Sequence, residues 1–392
     1  MYFAKAGFWT KNLVILSITV FCLHFPQAIL EAIGNNFAIE EIGITGLEKG
    51  FLDSFREVPG MAMVLIAALT MRLAEPRLAS FSLLIAGISF ALYLKVQTVH
   101  QLIAVSMFWS LGFHIWIPLE RSLTIGLGDR ATSGRMLGLM AGVRAVSFLV
   151  AMGLVLLLVD RLGYRNLFFI GSLTLFLGIL VILRLPSHIG QRRDFPRFVF
   201  KRRYTLYYWL TFLEGAPRQI FWTFAIFTLI KVYGMNVKVV TAILVVNSLV
   251  TTYLGPKIGY WIDTLGERKA LSYGYGLMIF SFIGFALVHQ VWFMVLMLFA
   301  YRVLQTFSMG ISSYISRIAP SQDLSSSFAV GVTNSHLAAL VIPVVGGFIW
   351  ERFGYEFSFI FGALVTVIVF ASVRMMPKEL VPVGEASVQA KA

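Results

Sequence analysis

Glu214 and Arg218 stand four residues apart inside an otherwise apolar run, a spacing that puts both side chains on one helix face where they can pair. Asp53 and Glu57 repeat that spacing, with Arg56 three residues from Asp53. His24, Gln27, Glu31, His114, Glu120, Arg121, Arg144, Gln219, Asn247, Arg302, Gln305, Asn334 and His336 likewise interrupt long hydrophobic stretches. Arginine stays protonated in proteins, and its planar fork fits carboxylate or phosphate. Carboxylates and histidine can take up and release protons. These side-chain types point to holding a charged solute and moving protons. Bond-making chemistry has no comparable signature. The six histidines are scattered, no H-E-x-x-H occurs, and no phosphate-binding G-x-x-x-x-G-K-[ST] is present, so a metalloenzyme and an ATP-driven pump are excluded and neither metal nor cofactor is expected. The single cysteine, Cys22, lies in an apolar run, rules out an intrachain disulfide and reads as a core residue.

The elements that must position these groups follow from composition. Of the 392 residues, 58% are apolar and only 13% charged, against about 25% charged in soluble domains. A helix needs roughly 20 mainly apolar residues to cross a bilayer. Twelve segments qualify: 12–34, 48–70, 78–95, 101–125, 137–159, 165–184, 205–233, 237–262, 269–289, 291–317, 326–350 and 355–374. The expected fold is an all-α membrane protein of twelve transmembrane helices in two six-helix lobes. The expected boundaries are an N-terminal lobe 1–184, a basic linker 185–204, a C-terminal lobe 205–376 and a tail 377–392. The first segment resembles a signal peptide, but no small-residue cleavage site closes it, and a retained first helix is expected.

The net charge of +13 sits in short connections, which points to membrane orientation and away from nucleic acid. Seven Lys/Arg (Arg184, Arg192, Arg193, Arg197, Lys201, Arg202, Arg203) crowd the linker region. With the termini and the connections on the linker's side, that face carries 19 cations against 7 on the other (Lys49, Lys95, Arg161, Arg165, Lys231, Lys238, Arg352). Both termini and the linker are therefore expected in the cytoplasm.

Asp160-Arg161-Leu162-Gly163-Tyr164, followed by Phe168 and Gly171, recurs as Glu351-Arg352-Phe353-Gly354-Tyr355 with Phe359 and Gly362, at a constant shift of 191 residues. Phe37-Ala38-Ile39 and Phe224-Ala225-Ile226 form a fainter pair, and together the matches favour an internal duplication. Between the eighth and ninth segments lies Gly259-Tyr-Trp-Ile-Asp263-Thr-Leu-Gly266-Glu-Arg268-Lys269. It resembles the G-x-x-x-D-x-x-G-x-R-K signature of the major facilitator superfamily. With the six-plus-six pattern the resemblance covers nearly the whole chain. In the first half, Ala67–Arg77 has Met71 in place of Asp263 and Ala74 in place of Gly266.

The resemblance implies two rocking lobes around a midplane site lined by helices 1, 4, 7 and 10 and flanked by 2, 5, 8 and 11. It also makes Gly259, Asp263, Gly266 and Arg268 a cytoplasmic gate. The buried charges lie on those eight helices and are absent mid-span from 3, 6, 9 and 12. Arg302-Val-Leu-Gln305 with Gly310 looks like the R-x-x-Q-G pattern of proton-coupled members, but in helix 10; the usual helix 4 place holds Trp109. The G-P-x-x-G-G element of drug antiporters is missing from helix 5, with a partial echo at Pro343-Val-Val-Gly346-Gly347.

An ionisable side chain in hydrocarbon costs about 2.5–3.5 kcal/mol or more, which makes each one a functional candidate. Arg144, Arg218 and Arg302, helped by His114, Gln219, Gln305, Asn247, Asn334 and Trp222, are expected to bind an anionic or zwitterionic substrate. Glu57, Glu31, Glu214 or His336 would carry the coupling proton. Glu120, Arg121 and Lys257 lie near cytoplasmic helix ends and read as able to snorkel. The expected protein is thus a proton-coupled secondary transporter of a small organic solute, monomeric, in a prokaryotic inner membrane. The alternatives are an uncoupled facilitator or non-transporting sensor on the same scaffold, or an amphipathic-drug exporter.

Overall fold

A computed structural model describes residues 10–70, 73–127, 133–190 and 200–377. Within them the chain is helical, because a backbone in hydrocarbon must satisfy its N–H and C=O groups internally. The rods are α1 (Lys11–Glu40), α2 (Gly46–Met61, resuming as Met63–Thr70), α3 (Glu75–Leu92) and α4 (Val99–Gly126). Then come α5 (residues 133–162) and α6 (residues 164–182), which meet at Gly163. The remainder are α7 (Thr205–Lys231), α8 (Val237–Leu265), α9 (Glu267–Leu287), α10 (Val291–Gln305, resuming as Met309–Ile318), α11 (Ser321–Phe353) and α12 (Tyr355–Val373).

Nine stretches among the described residues are long and apolar enough to cross a membrane, and they contain every rod except α2 and α7. In α2 five charged residues, Glu48, Lys49, Asp53, Arg56 and Glu57, lower the hydropathy; in α7 Glu214, Arg218 and Gln219 do so together with Tyr207, Tyr208, Trp209, Pro217 and Trp222. Two expected continuous spans are interrupted. The second breaks at Ala62, just after Pro59-Gly60, and the tenth passes through a 3-10 turn at Thr306–Ser308. Lys49, read from sequence as a loop cation, lies inside α2, buried, with Nζ 3.0 Å from Asp53. The central linker residues Arg192, Arg193 and Arg197, and the tail after 377, lie outside the described residues.

Two compact units emerge. One gathers the described parts of Met1–Gly43, Arg56–Phe195 and Asn236–Ala242; the other gathers Ile44–Phe55, Pro196–Met235 and those of Ile243–Ala392. The core of the first is aromatic: Phe168 stacks on Tyr93 at 4.3 Å, and Phe90 meets the Trp109 ring at 4.8 Å. In the second, Phe221 stacks on Tyr301 at 3.8 Å, and Phe359 packs on Phe285 at 4.4 Å. The repeated glycines do the same work in each unit. Gly163 (φ 72°) and Gly354 (φ 100°) both turn the chain sharply between helices, in backbone space that is essentially closed to other residues. A Cβ at Gly171 would come within 2.9 Å of Pro26 and 2.8 Å of Phe90, and one at Gly362 within 2.2 Å of Phe282. Both glycines let a helix approach its neighbour closely.

Candidate functional site

In the first unit the charges converge on a residue that the sequence set aside. Glu120, on α4, is buried and does not snorkel. Its Oε2 accepts from Trp116 Nε1, one turn earlier on α4, at 2.6 Å. The same oxygen lies 2.9 Å from His24 Nε2 on α1, and Oε1 accepts from the Arg144 guanidinium on α5. The other ring nitrogen of His24, Nδ1, lies 2.7 Å from Gln27 Oε1, three residues along α1. Three helices thus bring one carboxylate, one permanent cation and one titratable ring together. Glu120 is shut in, with 8% of its side chain accessible, while 42% of Arg144 remains accessible. Arg144 therefore pairs with Glu120 while part of its side chain stays accessible.

Aromatic rings continue this surface. Phe113 lies edge-on to His24 at 6.4 Å and stacks on Trp109 at 5.6 Å. His114 points Nδ1 at the Ser110 carbonyl, 2.8 Å away, and Ser110 Oγ donates to the carbonyl of Arg56. Glu31 and Glu57, first choices for the proton from sequence, are half-buried in this unit and are not among Glu120's partners. Arg121 is exposed.

The second unit builds a different arrangement. Glu214 is buried, with Arg218 Nη1 3.6 Å from its carboxylate, so their four-residue spacing places them side by side. One turn beyond Arg218, the Arg302 guanidinium lies over the Trp222 ring, 4.7 Å from its centroid, and Trp222 Nε1 donates to Gln305 Oε1 at 3.0 Å. Nearly half of Trp222 is exposed, which leaves an aromatic and cationic ledge. Asn334 Nδ2 donates to the Tyr208 carbonyl at 3.1 Å. Asn247 is buried, and its Nδ2 has no hydrogen-bond partner among the described residues. Gln219 and His336 are half-buried.

At the α8–α9 junction Gly266 takes φ 81°, as the motif's turn requires. The cation nearest Asp263 is not Arg268 but Arg317, at the end of α10, 3.4 Å away. Arg317 also pairs with Glu267, which accepts from Ser313 Oγ at 2.7 Å. Gly259 has open space where a Cβ would project. The first unit keeps half of this arrangement. Glu75, buried at the start of α3, accepts from Ser122 Oγ at 2.8 Å, but Gly126 stands 191 residues before Arg317. At that place the Gly190 backbone comes within 3.0 Å of where a Gly126 Cβ would sit. Met71, the counterpart of Asp263 in sequence, lies outside the described residues; the Glu75–Glu267 and Ser122–Ser313 correspondences fall beside the motif and carry no signature of their own.

Comparisons with known proteins agree with this architecture. Residues 207–391 match the family model described as Major Facilitator Superfamily. No curated protein matches the chain in sequence. The nucleoside transporter NupG superposes with a TM-score of 0.78 at 15% identity, over 94% of this chain and 100% of NupG. A bacterial homologue of the human lysosomal transporter Spinster, solved inward-facing and occupied, gives 0.71 at 13% identity, over 92% and 95%. A POT family transporter in complex with 5-aminolevulinic acid gives 0.72 at 13%, over 94% and 96%.

Proposed function

We propose that this chain, whose residues 207–391 match the Major Facilitator Superfamily model and which shares the fold of the nucleoside transporter NupG over 94% of its length, is a proton-coupled secondary transporter of a small organic anion or zwitterion. The observation that carries the proposal is Arg144. It is anchored by a buried carboxylate yet partly open, so it can offer guanidinium N–H groups to a substrate carboxylate without leaving Glu120. Arg218 and Arg302, with Gln219, Gln305, Asn247, Asn334, His114 and Trp222, supply further polar and aromatic contacts in this reading. Glu57, Glu31, Glu214 and His336 remain candidates for the coupled proton. That one fold neighbour holds 5-aminolevulinic acid, a small zwitterion, is in keeping with this class. Gly259, Asp263 and Gly266 would form the cytoplasmic gate with Arg268, and Arg317 joins them by its contact with Asp263. We place both termini in the cytoplasm and the monomeric protein in an inner membrane, with lobes at 1–184 and 205–376.

The test is uptake into proteoliposomes of radiolabelled monocarboxylates, amino acids and nucleosides, with and without an imposed proton gradient. At least one member of the first two classes should accumulate with the gradient. Arg144→Lys keeps the charge but loses the fork, and should reduce that uptake about tenfold or more. Accumulation of nucleosides alone, or full activity in Arg144→Lys, would refute the substrate assignment.

A second reading has one observation in its favour. A groove of about 520 Å³ between α1 and α5, bordered by Ile18, Phe21, Gly138, Gly142, Val143 and Val146, is almost wholly apolar. It suits the hydrophobic part of an amphipathic compound, and drug efflux in the same vesicles would favour it.

A further inference from the structure

We infer that His24 exchanges the proton of the transport cycle, and that the hydrogen gained and lost is the one on Nδ1, facing Gln27. The inference rests on the proton-coupled reading above and assigns it to a residue outside the carboxylates and His336 considered so far.

Hydrogen bonding fixes the state of each ring nitrogen. Nε2 faces a Glu120 carboxylate that already accepts from Trp116 and Arg144. An ionised carboxylate only accepts, so Nε2 must keep its hydrogen. Nδ1 faces an amide oxygen at 2.7 Å, which also only accepts. With the amide oxygen facing Nδ1, both hydrogen bonds are complete only in the doubly protonated imidazolium. Glutamine is a partner that can serve the other state too. When Nδ1–H breaks and its proton passes to water, a lone pair remains on Nδ1. A half-turn of the Gln27 amide then brings its NH₂ to that lone pair, and the hydrogen bond is re-formed with its direction reversed. With 15% of its side chain accessible, His24 is reachable by that water.

Charge gives the exchange its consequence. With Nδ1 protonated, His24 and Arg144 outnumber Glu120, leaving one net positive charge; with Nδ1 bare, the cluster is neutral. An anion at the open edge of Arg144 and a proton on His24 thus favour each other, and by reciprocity each raises the affinity for the other. The coupling has the sign of symport. The other charged or titratable groups on the elements around His24 are Lys11, Glu31 and Glu40 on α1, Glu48, Lys49, Asp53, Arg56 and Glu57 on α2, His100, His114 and Arg121 on α4, and Arg135, Asp160 and Arg161 on α5; α6, which packs along α1, brings Tyr164 and Arg165 at its start. None of these is within hydrogen-bonding distance of the His24 ring, whose partners are Gln27 and Glu120.

The full-length protein labelled with ¹⁵N-histidine, in detergent micelles, reports the ring directly, and the spectrum of His24→Gln assigns the signal. As pH is raised across the range in which the protein stays folded, the His24 signals should pass from those of the doubly protonated ring to those of a ring bare at Nδ1. Gln27→Glu, a partner that cannot donate, should move that titration to higher pH by about one unit or more. Gln27→Leu and Glu120→Gln should both move it to lower pH. A ring locked in one protonation state across this range overturns the inference. So does an unchanged midpoint in both Gln27 variants, each checked for wild-type thermal unfolding. Uptake separates this from the parent reading. Proton-driven uptake with a silent His24 sinks the inference alone, whereas a titrating His24 with pH-blind uptake removes its part in coupling.

Discussion

Trp116 is the member of the Glu120 cluster easiest to isolate, because it makes a single hydrogen bond there. Its indole N–H donates at 2.6 Å to a buried carboxylate, and the rest of the ring is fully enclosed. Trp116→Phe keeps most of the volume and removes the donor. A hydrogen bond to a charged group is worth about 1.5–3 kcal/mol, and the variant should lose stability in that range. Thermal unfolding in detergent, followed by aromatic absorbance, would measure it; no loss would mean that Arg144 and His24 already saturate the carboxylate. Trp116 and Glu120 were legible in sequence as an i, i+4 pair, and His24 and Gln27 as i, i+3. Within two turns of the end of α4, Glu120 reads from sequence as able to snorkel, and α4 does end close by, at Gly126; the helix end does not reveal that the side chain turns inward. The local pattern did not contain the two partners that hold Glu120 inside, His24 96 residues earlier and Arg144 24 later.

Helix junctions are set by glycines whose conformation no other residue adopts comfortably. Gly163, Gly266 and Gly354 all combine φ between 72° and 100° with an extended ψ. At the junction before α3, Ala74 sits where the motif has glycine, with φ −60° and ψ 136°, and Pro76 opens the helix. The degraded motif therefore makes its turn with an ordinary backbone and a proline. Gly163 separates backbone strain from crowding, because a Cβ there would meet nothing within 4 Å. Gly163→Ala should destabilise by about 1–3 kcal/mol through strain alone. Gly362→Val should cost more, since its Cβ would overlap Phe282 at the α9–α12 contact. Unfolding of both variants in the same detergent would compare them, and a Gly362→Val as stable as Gly163→Ala would mean that Phe282 moves aside freely. The 191-residue repeat placed these glycines without any coordinates, because a backbone requirement is carried by a single residue type. The interruption of α2 is marked locally by Pro59-Gly60, whereas that of α10, at Thr306–Ser308, has no proline and only Gly310 nearby.

On the scale of the whole molecule, the return from the linker is fastened by Asp323, which lies ahead of the apolar part of α11. Both of its oxygens accept from Lys201 Nζ at 2.8 Å, and Oδ2 also accepts from Tyr204 Oη at 2.6 Å and Arg203 Nη2 at 2.5 Å. The Lys201 bonds first, then those from Tyr204 and Arg203, pull the Asp323 carboxyl down to about 2. Burial first, then the bond to Asp323, pushes Tyr204 up to about 12. A carboxyl depressed in the folded state stabilises fully above its ordinary value of 3.8 and loses that contribution as pH falls through about 2. The stability gap between wild type and Asp323→Asn should therefore stay constant at neutral pH and close between those two values. A gap that closes at higher pH would contradict the assignment. Orientation is tested at the same scale. In a Cys22→Ser background, an impermeant maleimide should reach a cysteine at Ser187 only from the cytoplasmic side and one at Asn236 only from outside, in sealed right-side-out and inverted vesicles. The reverse labelling would overturn the charge-bias orientation.

By itself the sequence determined the material and the scaffold. Its apolar runs force helices because unsatisfied backbone cannot remain in hydrocarbon, the duplicated glycine turns mark a repeat, and the Gly259–Lys269 motif resembles a major facilitator signature. Tertiary structure decided which intramembrane charges meet. Helix rotation and tilt bring His24, Glu120 and Arg144 together from three separate rods and set Arg317 in place of Arg268 beside Asp263. Periodicity specifies the face a side chain occupies along one helix. Which other face lies opposite depends on packing between helices, to which the residues near one charge contribute only a small part.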